Sequence, residues 1–90
     1  MDRSLLSSEQ VAELGEALYE QSIRHQVETD EHIGKMVVID VETGEFAVDD
    51  TGLESSRILH EKHPNAALYG IRIGYSVSVS FGGVMDRRIR

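Results

Sequence analysis

The sequence contains no cysteine, no tryptophan, a single proline and no long apolar run. Without cysteine, the chain has neither a disulfide framework nor a thiolate metal site. Its longest purely aliphatic run, Met36 to Ile39, is far too short to cross a bilayer. The N-terminal residues also lack the basic flank and apolar core that are typical of a signal peptide. These absences predict a soluble, cytoplasmic protein that does not bind membranes.

Charge is distributed unevenly within a net charge of −7. Residues 1–54 carry 14 acidic and three basic side chains, whereas residues 55–90 carry two acidic and six basic ones. An acidic half and a basic half on one small body favour self-association or a charged protein partner. The acidic surface disfavours nucleic acid, because it repels phosphate backbones.

The only basic cluster is Arg87-Arg88-Ile89-Arg90. Its arginines could contact phosphate or an acidic patch on a partner or a second copy, or they could belong to a solvated tail. Ninety residues indicate one small domain, 1–90, in which 1–6 and 85–90 are expected to be flexible tails. A domain of this size has a thin core, and association is a common way of stabilising it.

Two helices are expected, the first from Ser8 to Val27. Ser7 and Gln10 have the spacing of a capping box immediately before this helix. Gly15 and Ser22 lie near the centre of the apolar stripe, where small residues let another helix or a sheet approach closely. The second helix is expected from Gly52 to Lys62, because Pro64 ends it.

Four β-strands are expected, arranged as two hairpins, at residues 35–41, 45–48, 68–73 and 75–81. The first strand is apolar at consecutive positions, which predicts that both of its faces are covered. Gly74-Tyr75 fits a type II′ turn in the second hairpin. The order is therefore αββαββ, in an α+β fold whose four-stranded antiparallel or mixed sheet carries its helices on one face.

The last expected strand alternates apolar residues with serines, so that one of its faces would be half-hydrated. We expect a second copy to cover that face and predict a homodimer, with the first helix as a further contact. The candidate interaction residues are Tyr75, Ser76, Val77, Ser78, Val79, Ser80 and Phe81.

The tripeptide Asp50-Thr51-Gly52 has the form of the catalytic turn of a dimeric aspartic protease, in which two carboxylates share a proton. The following residues, however, are typical of a helix rather than of the surrounding sheet that such a turn requires. Thr51 and Glu54 have capping-box spacing, and Asp49 and Asp50 favour the positive end of a helix dipole. We therefore interpret this stretch as a helix cap and expect no catalytic residue here.

Further side chains are candidates for metal binding or for catalysis. His60 and His63 share a helix face and are candidate ligands for zinc or nickel, but the spacing of a third ligand is missing. Asp40 interrupts an apolar strand and could serve as a buried general base. The interpretation we favour places Asp40 on the hydrated side, bonded to the turn amides near Thr43 and Gly44. No metal, catalytic residue or cofactor is therefore expected.

Several stretches from about Glu16 onward resemble a small, uncharacterised family of bacterial, mainly cyanobacterial, proteins. The stretches are Tyr19-Glu20, the core GKMVVIDVETGE at 34–45 with its pattern G-K-x-V-x-I-D-V-E-T-G-E, Asp49-Asp50, His63-Pro64, and residues 69–75 with the R-I-G-Y sequence. Some relatives are encoded beside small protease-like or toxin-like proteins, so the resemblance implies a protein partner. The serine row departs from the bulkier or charged residues expected in the family.

The sequence therefore favours a non-enzymatic protein-interaction module that self-associates. One alternative is an antitoxin-like protein that binds a small basic partner through its acidic half. The other is a small enzyme, either metal-dependent through His60 and His63 or carboxylate-based through Asp50.

Overall fold

The computed structural model describes residues 6–75, 78–81 and 87–88. The first helix consists of α1 (Ser8–Leu18), a π-helical turn (Tyr19–Ile23) and α2 (Arg24–Val27), which follow one another without a break. The expected start and end of this helix are thus confirmed. The capping box is also confirmed, since Ser7 Oγ accepts from Gln10 N at 3.1 Å and Gln10 Oε1 accepts from Ser7 N at 2.9 Å.

The remaining elements are the helix α3 (Leu53–Lys62) and a sheet. The strands are β1 (Met36–Asp40), β2 (Phe46–Asp49), β3 (Leu68–Arg72), β4 (Ser78–Phe81) and β5 (Arg87–Arg88). They pair antiparallel in the order β2-β1-β3-β4-β5. The fold is a small α+β domain, as predicted.

The predicted count of four strands and the order αββαββ are wrong, because a fifth strand follows β4. Arg87 and Arg88 pair with Val79 and Ser78, so the segment expected to be a tail contributes a short strand. The unpaired backbone groups along the edge of β4 offer partners to such a segment. Short pairings of this kind leave no hydrophobic periodicity in the sequence.

The helices lie on opposite faces of the sheet, which corrects the prediction that both pack on one face. Val37 and Ile39 of β1 belong to the core beneath the first helix, whereas Val38 between them packs with Leu59 of α3. Neighbouring residues of a strand point to opposite faces. A strand with four consecutive apolar residues therefore needs a cover on both sides, and the two helices provide it.

Gly15 is the point at which the first helix comes closest to the sheet. A Cβ atom built on Gly15 would lie 2.3 Å from Cδ2 of Tyr69 on β3. The expectation of a close approach is therefore confirmed at Gly15, whereas Ser22, for which the same was expected, is exposed. The two faces also differ in size, because the core under the first helix is much larger than the core under α3.

The turn after β3 differs from the predicted type II′ hairpin loop. Tyr75 N donates to Arg72 O at 3.0 Å, which places Gly74 at the third position of the turn, with φ +85°. A type II′ turn would place glycine at the second position. Ile73, at the second position of this turn, is fully buried, and its N–H donates to Lys35 O at 2.8 Å. Among the residues that the structure describes, no helix has the length and hydropathy needed to span a membrane.

Candidate interaction site

Three loops meet at the end of the sheet where β1 begins and where β2 and β3 end. Gly34 N donates to Ile73 O at 2.9 Å, and Arg72 Nη1 donates to Gly34 O at 2.7 Å. Lys35 Nζ lies 2.6 Å from Asp50 Oδ1, joining the start of β1 to the loop after β2. Backbone and charged contacts together therefore fix the relative positions of these loops.

Large apolar side chains of the described residues are exposed at this end. Ile33 is 48% exposed and Tyr75 is 60% exposed. Ile33 lies against Gly74, the residue before Tyr75, because a Cβ atom on Gly74 would be only 3.0 Å from Cδ1 of Ile33. We call Ile33, Gly74 and Tyr75 the end patch. Leu53, which is 70% exposed, starts α3 at the same end of the sheet.

The rim of the end patch carries both signs of charge. Lys35 and Asp50 form the exposed ion pair described above, and the guanidinium of Arg72 is bonded to backbone carbonyl oxygens. Asp30 and Glu31, in the loop before Ile33, are exposed. Apolar side chains within a charged rim are typical of protein-contact surfaces.

The predicted interaction residues fall into three groups. Tyr75 is exposed, although it lies in the turn and not in a strand. Ser76 and Val77 lie outside the described residues. The remaining four, Ser78 to Phe81, form β4 between β3 and β5. Ile33 was not predicted, and only its isolated position in a polar loop could have indicated it.

The Asp-Thr-Gly stretch caps α3, as the sequence indicates, but Asp49 supplies most of the contacts instead of the Thr51 and Glu54 pair. The carboxylate of Asp49 accepts from Gly52 N at 3.0 Å, from Ser55 N at 3.3 Å and from Ser55 Oγ at 2.6 Å. Thr51 Oγ1 accepts only from Leu53 N, and the carboxylate of Glu54 pairs with Arg57. The expected capping box is therefore wrong in its residues.

Two adjacent aspartates consequently have different environments. Burial of Asp49 opposes its ionisation, but hydrogen bonds from the Ser55 side chain and from the Ser55, Thr51 and Gly52 amides outweigh it and lower its pKa. The side chain of Asp50 is 80% exposed and paired with Lys35. This geometry does not resemble a protease turn, in which the aspartate of the tripeptide is held inside the sheet.

His60 and His63 do not form a metal site with other described residues. No group of three or more histidine or acidic side chains in the described part of the chain could hold a metal ion. His63 Nε2 is 3.6 Å from Glu45 Oε1, which Lys62 Nζ also approaches at 3.6 Å. The end of α3 is therefore tied electrostatically to the start of β2.

Asp40 is fully buried, which corrects the expectation that it points to the hydrated side. Its predicted bonding to the turn is confirmed, since Oδ1 accepts from Glu42 N at 3.0 Å and Thr43 N at 3.4 Å. Its Oδ2 atom has no hydrogen-bond partner among the described residues. Asp40 thus holds the β1–β2 turn in place from inside the α3 face.

A polar cluster around the π-helical turn had no signal in the sequence. Tyr19 Oη donates to Glu28 Oε2 at 2.7 Å, and Arg24 bridges Glu20 and Glu28. Burial, followed by this hydrogen bond, raises the pKa of Tyr19. The same bond is the largest cause of the lowered pKa of Glu28, and Arg24 adds to it. The cluster fastens the end of the first helix.

Comparison of the chain with protein-family models, with curated proteins and with solved structures gives no match. Among the described residues, the end patch is the surface best suited to binding.

Proposed function

We propose that the protein is a non-enzymatic interaction module that self-associates through the end patch. The observation that carries this proposal is the exposure of Ile33 and Tyr75 on two loops that the approach of Ile33 to Gly74 brings together. Exposed tyrosines contribute strongly to binding, because a rigid aromatic ring buries a large area at a small entropic cost. A cytoplasmic location and membership of the bacterial family that the sequence resembles belong to the same proposal.

The mixed charge of the rim supports a second copy as the occupant. In a two-fold interface the same surface of each copy faces its counterpart, so a patch of one charge sign would repel itself. Here Lys35 and Asp50 lie together beside the apolar residues, and both are accessible to solvent. Each lysine could therefore approach the aspartate of the other copy while Tyr75 and Ile33 are buried.

The test is sedimentation equilibrium of the full chain over a wide concentration range, for wild type, Tyr75→Ser and Ile33→Ser. The control variant is Leu14→Ser, because Leu14 is 42% exposed but lies on α1 and belongs to none of the loops that build the end patch. We expect Tyr75→Ser to weaken self-association at least about tenfold, as for a central aromatic contact. Ile33→Ser should weaken it less, and Leu14→Ser should leave it unchanged.

Two results would contradict this proposal. One is a wild-type chain that stays monomeric at every concentration. The other is an equal effect of Leu14→Ser and Tyr75→Ser, which would place the contact elsewhere.

A further inference from the structure

Leu53 is the most exposed large apolar residue that the structure describes, and it lies at the same end of the sheet as the end patch. Its exposed fraction is 70%, although it begins α3. Of the five exposed large apolar side chains in the described part of the chain, three lie at this end, namely Ile33, Leu53 and Tyr75. A single exposed leucine needs no explanation, but a group at one end of a small domain is typical of a contact surface.

The strand order fixes the relative positions of these side chains. β1 lies between β2 and β3, so the start of β1 separates Leu53, which follows β2, from Tyr75, which follows β3. Neighbouring strands are about 4.8 Å apart, so β2 and β3 are about 10 Å apart. Ile33 approaches Gly74 and therefore lies on the Tyr75 side. The end of the sheet thus carries two apolar spots, one on each side of β1.

A polar strip lies between the two apolar spots. It contains the ion pair of Lys35 and Asp50, and the guanidinium of Arg72, whose Nη1 donates to Gly34 O at 2.7 Å and to Asp50 O at 3.5 Å. Each of these charged groups is already bonded within the chain. A second copy that covers the strip therefore buries no charge without a partner, which is the costly case.

The position of the two-fold axis decides which side chains meet when the end patch self-associates. In a two-fold interface, residue i of one copy contacts residue j of the other, and j contacts i. An axis through Tyr75 would pair the two tyrosines and leave each Leu53 without an apolar counterpart. An axis at the start of β1 exchanges the two sides, so that both apolar spots are covered. The second arrangement removes more apolar area from water, which is the main driving force of association.

We infer that Leu53 of each copy packs against Tyr75 of the other, in two equivalent contacts about an axis at the start of β1. This inference rests on the proposed function, because it requires a second copy at the end patch. It adds the residue that Tyr75 contacts, and it makes Leu53 a determinant of specificity. Because each copy uses both of its apolar spots within one pair, the assembly closes as a dimer.

The test is a charge-complementation experiment by sedimentation equilibrium of the full chain. Leu53→Asp places a carboxylate opposite Tyr75, and Tyr75→Lys places an ammonium group opposite Leu53. Each variant alone should self-associate at least about tenfold more weakly than wild type. In an equimolar mixture, the new carboxylate of one chain faces the new ammonium group of the other, and the second contact is the wild-type one. A heterodimer should therefore form at least about tenfold more tightly than either variant self-associates.

Both variants should keep the fold. An acidic residue in the first turn of α3 suits the helix dipole, and Tyr75 is 60% exposed. Circular dichroism checks this. The matched control is Ile58→Asp, which introduces the same charge at a half-exposed apolar position farther along α3 and should leave self-association unchanged.

The possible results separate this inference from the proposed function. A wild-type chain that stays monomeric overturns both. If Tyr75→Ser weakens self-association but Leu53→Asp does not, only the contact between Leu53 and Tyr75 is overturned. The same holds if Leu53→Asp weakens self-association and the mixture with Tyr75→Lys shows no recovery, or if Ile58→Asp has as large an effect as Leu53→Asp.

Discussion

The two faces of the sheet are stabilised in different ways. Under the first helix, eleven buried apolar residues of the described chain form one cluster, and Gly15 lies against the ring of Tyr69. Under α3 only four such residues form the core, and Asp40 and Ser55 are buried beside them. The first face depends on shape and apolar area. The second depends on hydrogen bonds at its two ends, those of Asp49 and Asp40, so single polar changes should matter more there.

The largest loss of stability is expected on the face under the first helix, when a side chain is added at Gly15. Gly15→Val should destabilise the fold by about 3 kcal/mol or more, because its Cβ would overlap the Tyr69 ring and overpacked cores relax poorly. Ala17→Val places the same residue at an exposed position of the same helix and should cost only about 0.5 kcal/mol. Urea denaturation measures both. Similar losses in the two variants would mean that the helix does not pack closely at Gly15.

On the α3 face, replacing the single polar residue Asp49 should reduce stability by nearly as much. Asp49→Ala should cost about 2–3 kcal/mol, because it removes the helix cap and leaves the buried Ser55 hydroxyl without its acceptor. Asp50→Ala, one residue away, should cost no more than about 0.5 kcal/mol, since it removes only an exposed ion pair. Thermal unfolding at neutral pH compares the two. Equal losses would contradict the assignment of the cap to Asp49.

The pH dependence of the same two variants sharpens this test. The pKa of Asp49 is lowered in the folded chain, so its contribution is fully present above its usual value of 3.8 and is lost as the pH falls further. The difference in unfolding free energy between wild type and Asp49→Ala should therefore shrink below about pH 3.8. A difference that stays constant with pH would show that the carboxylate charge is unimportant.

The smallest loss of stability is expected from removing the hydrogen bond between Tyr19 and Glu28, on the face under the first helix. Tyr19→Phe removes the hydrogen bond to Glu28 and should cost about 1 kcal/mol, because Glu28 is exposed and keeps Arg24 as a partner. The pKa of Glu28 should move up toward its usual value, which NMR titration can follow. A loss larger than that of Asp49→Ala would reverse the comparison between the two faces.

Much of the local structure could be predicted where the interacting residues lie within a few positions of one another in the sequence. Ser7 and Gln10 form their capping box within one turn, and the first helix begins and ends as expected. Gly15 indicated a close approach because glycine weakens a helix interior, a cost that close packing against a neighbouring element offsets. For the cap, the interacting groups are near neighbours in the sequence. For Gly15, the apolar stripe around it supplies the signal.

Features that depend on which elements become neighbours were predicted less well. The aliphatic positions 36–39 indicated two covered faces, but not which helix covers each one. Thr51 and Glu54 have the right spacing for a cap, yet it is the Asp49 carboxylate that binds the first amides of the helix. The contact of Ile33 with Gly74, the residue before Tyr75, joins loops that are distant in the sequence.

The most direct test of the central claim is a concentration series of amide NMR spectra of the wild-type chain, from micromolar to millimolar protein. Self-association through the end patch predicts concentration-dependent shifts and broadening at Ile33, Gly74 and Tyr75, and little change at β2 or along the exposed side of α1. Spectra that do not change with concentration, or changes confined to other surfaces, would contradict the proposal.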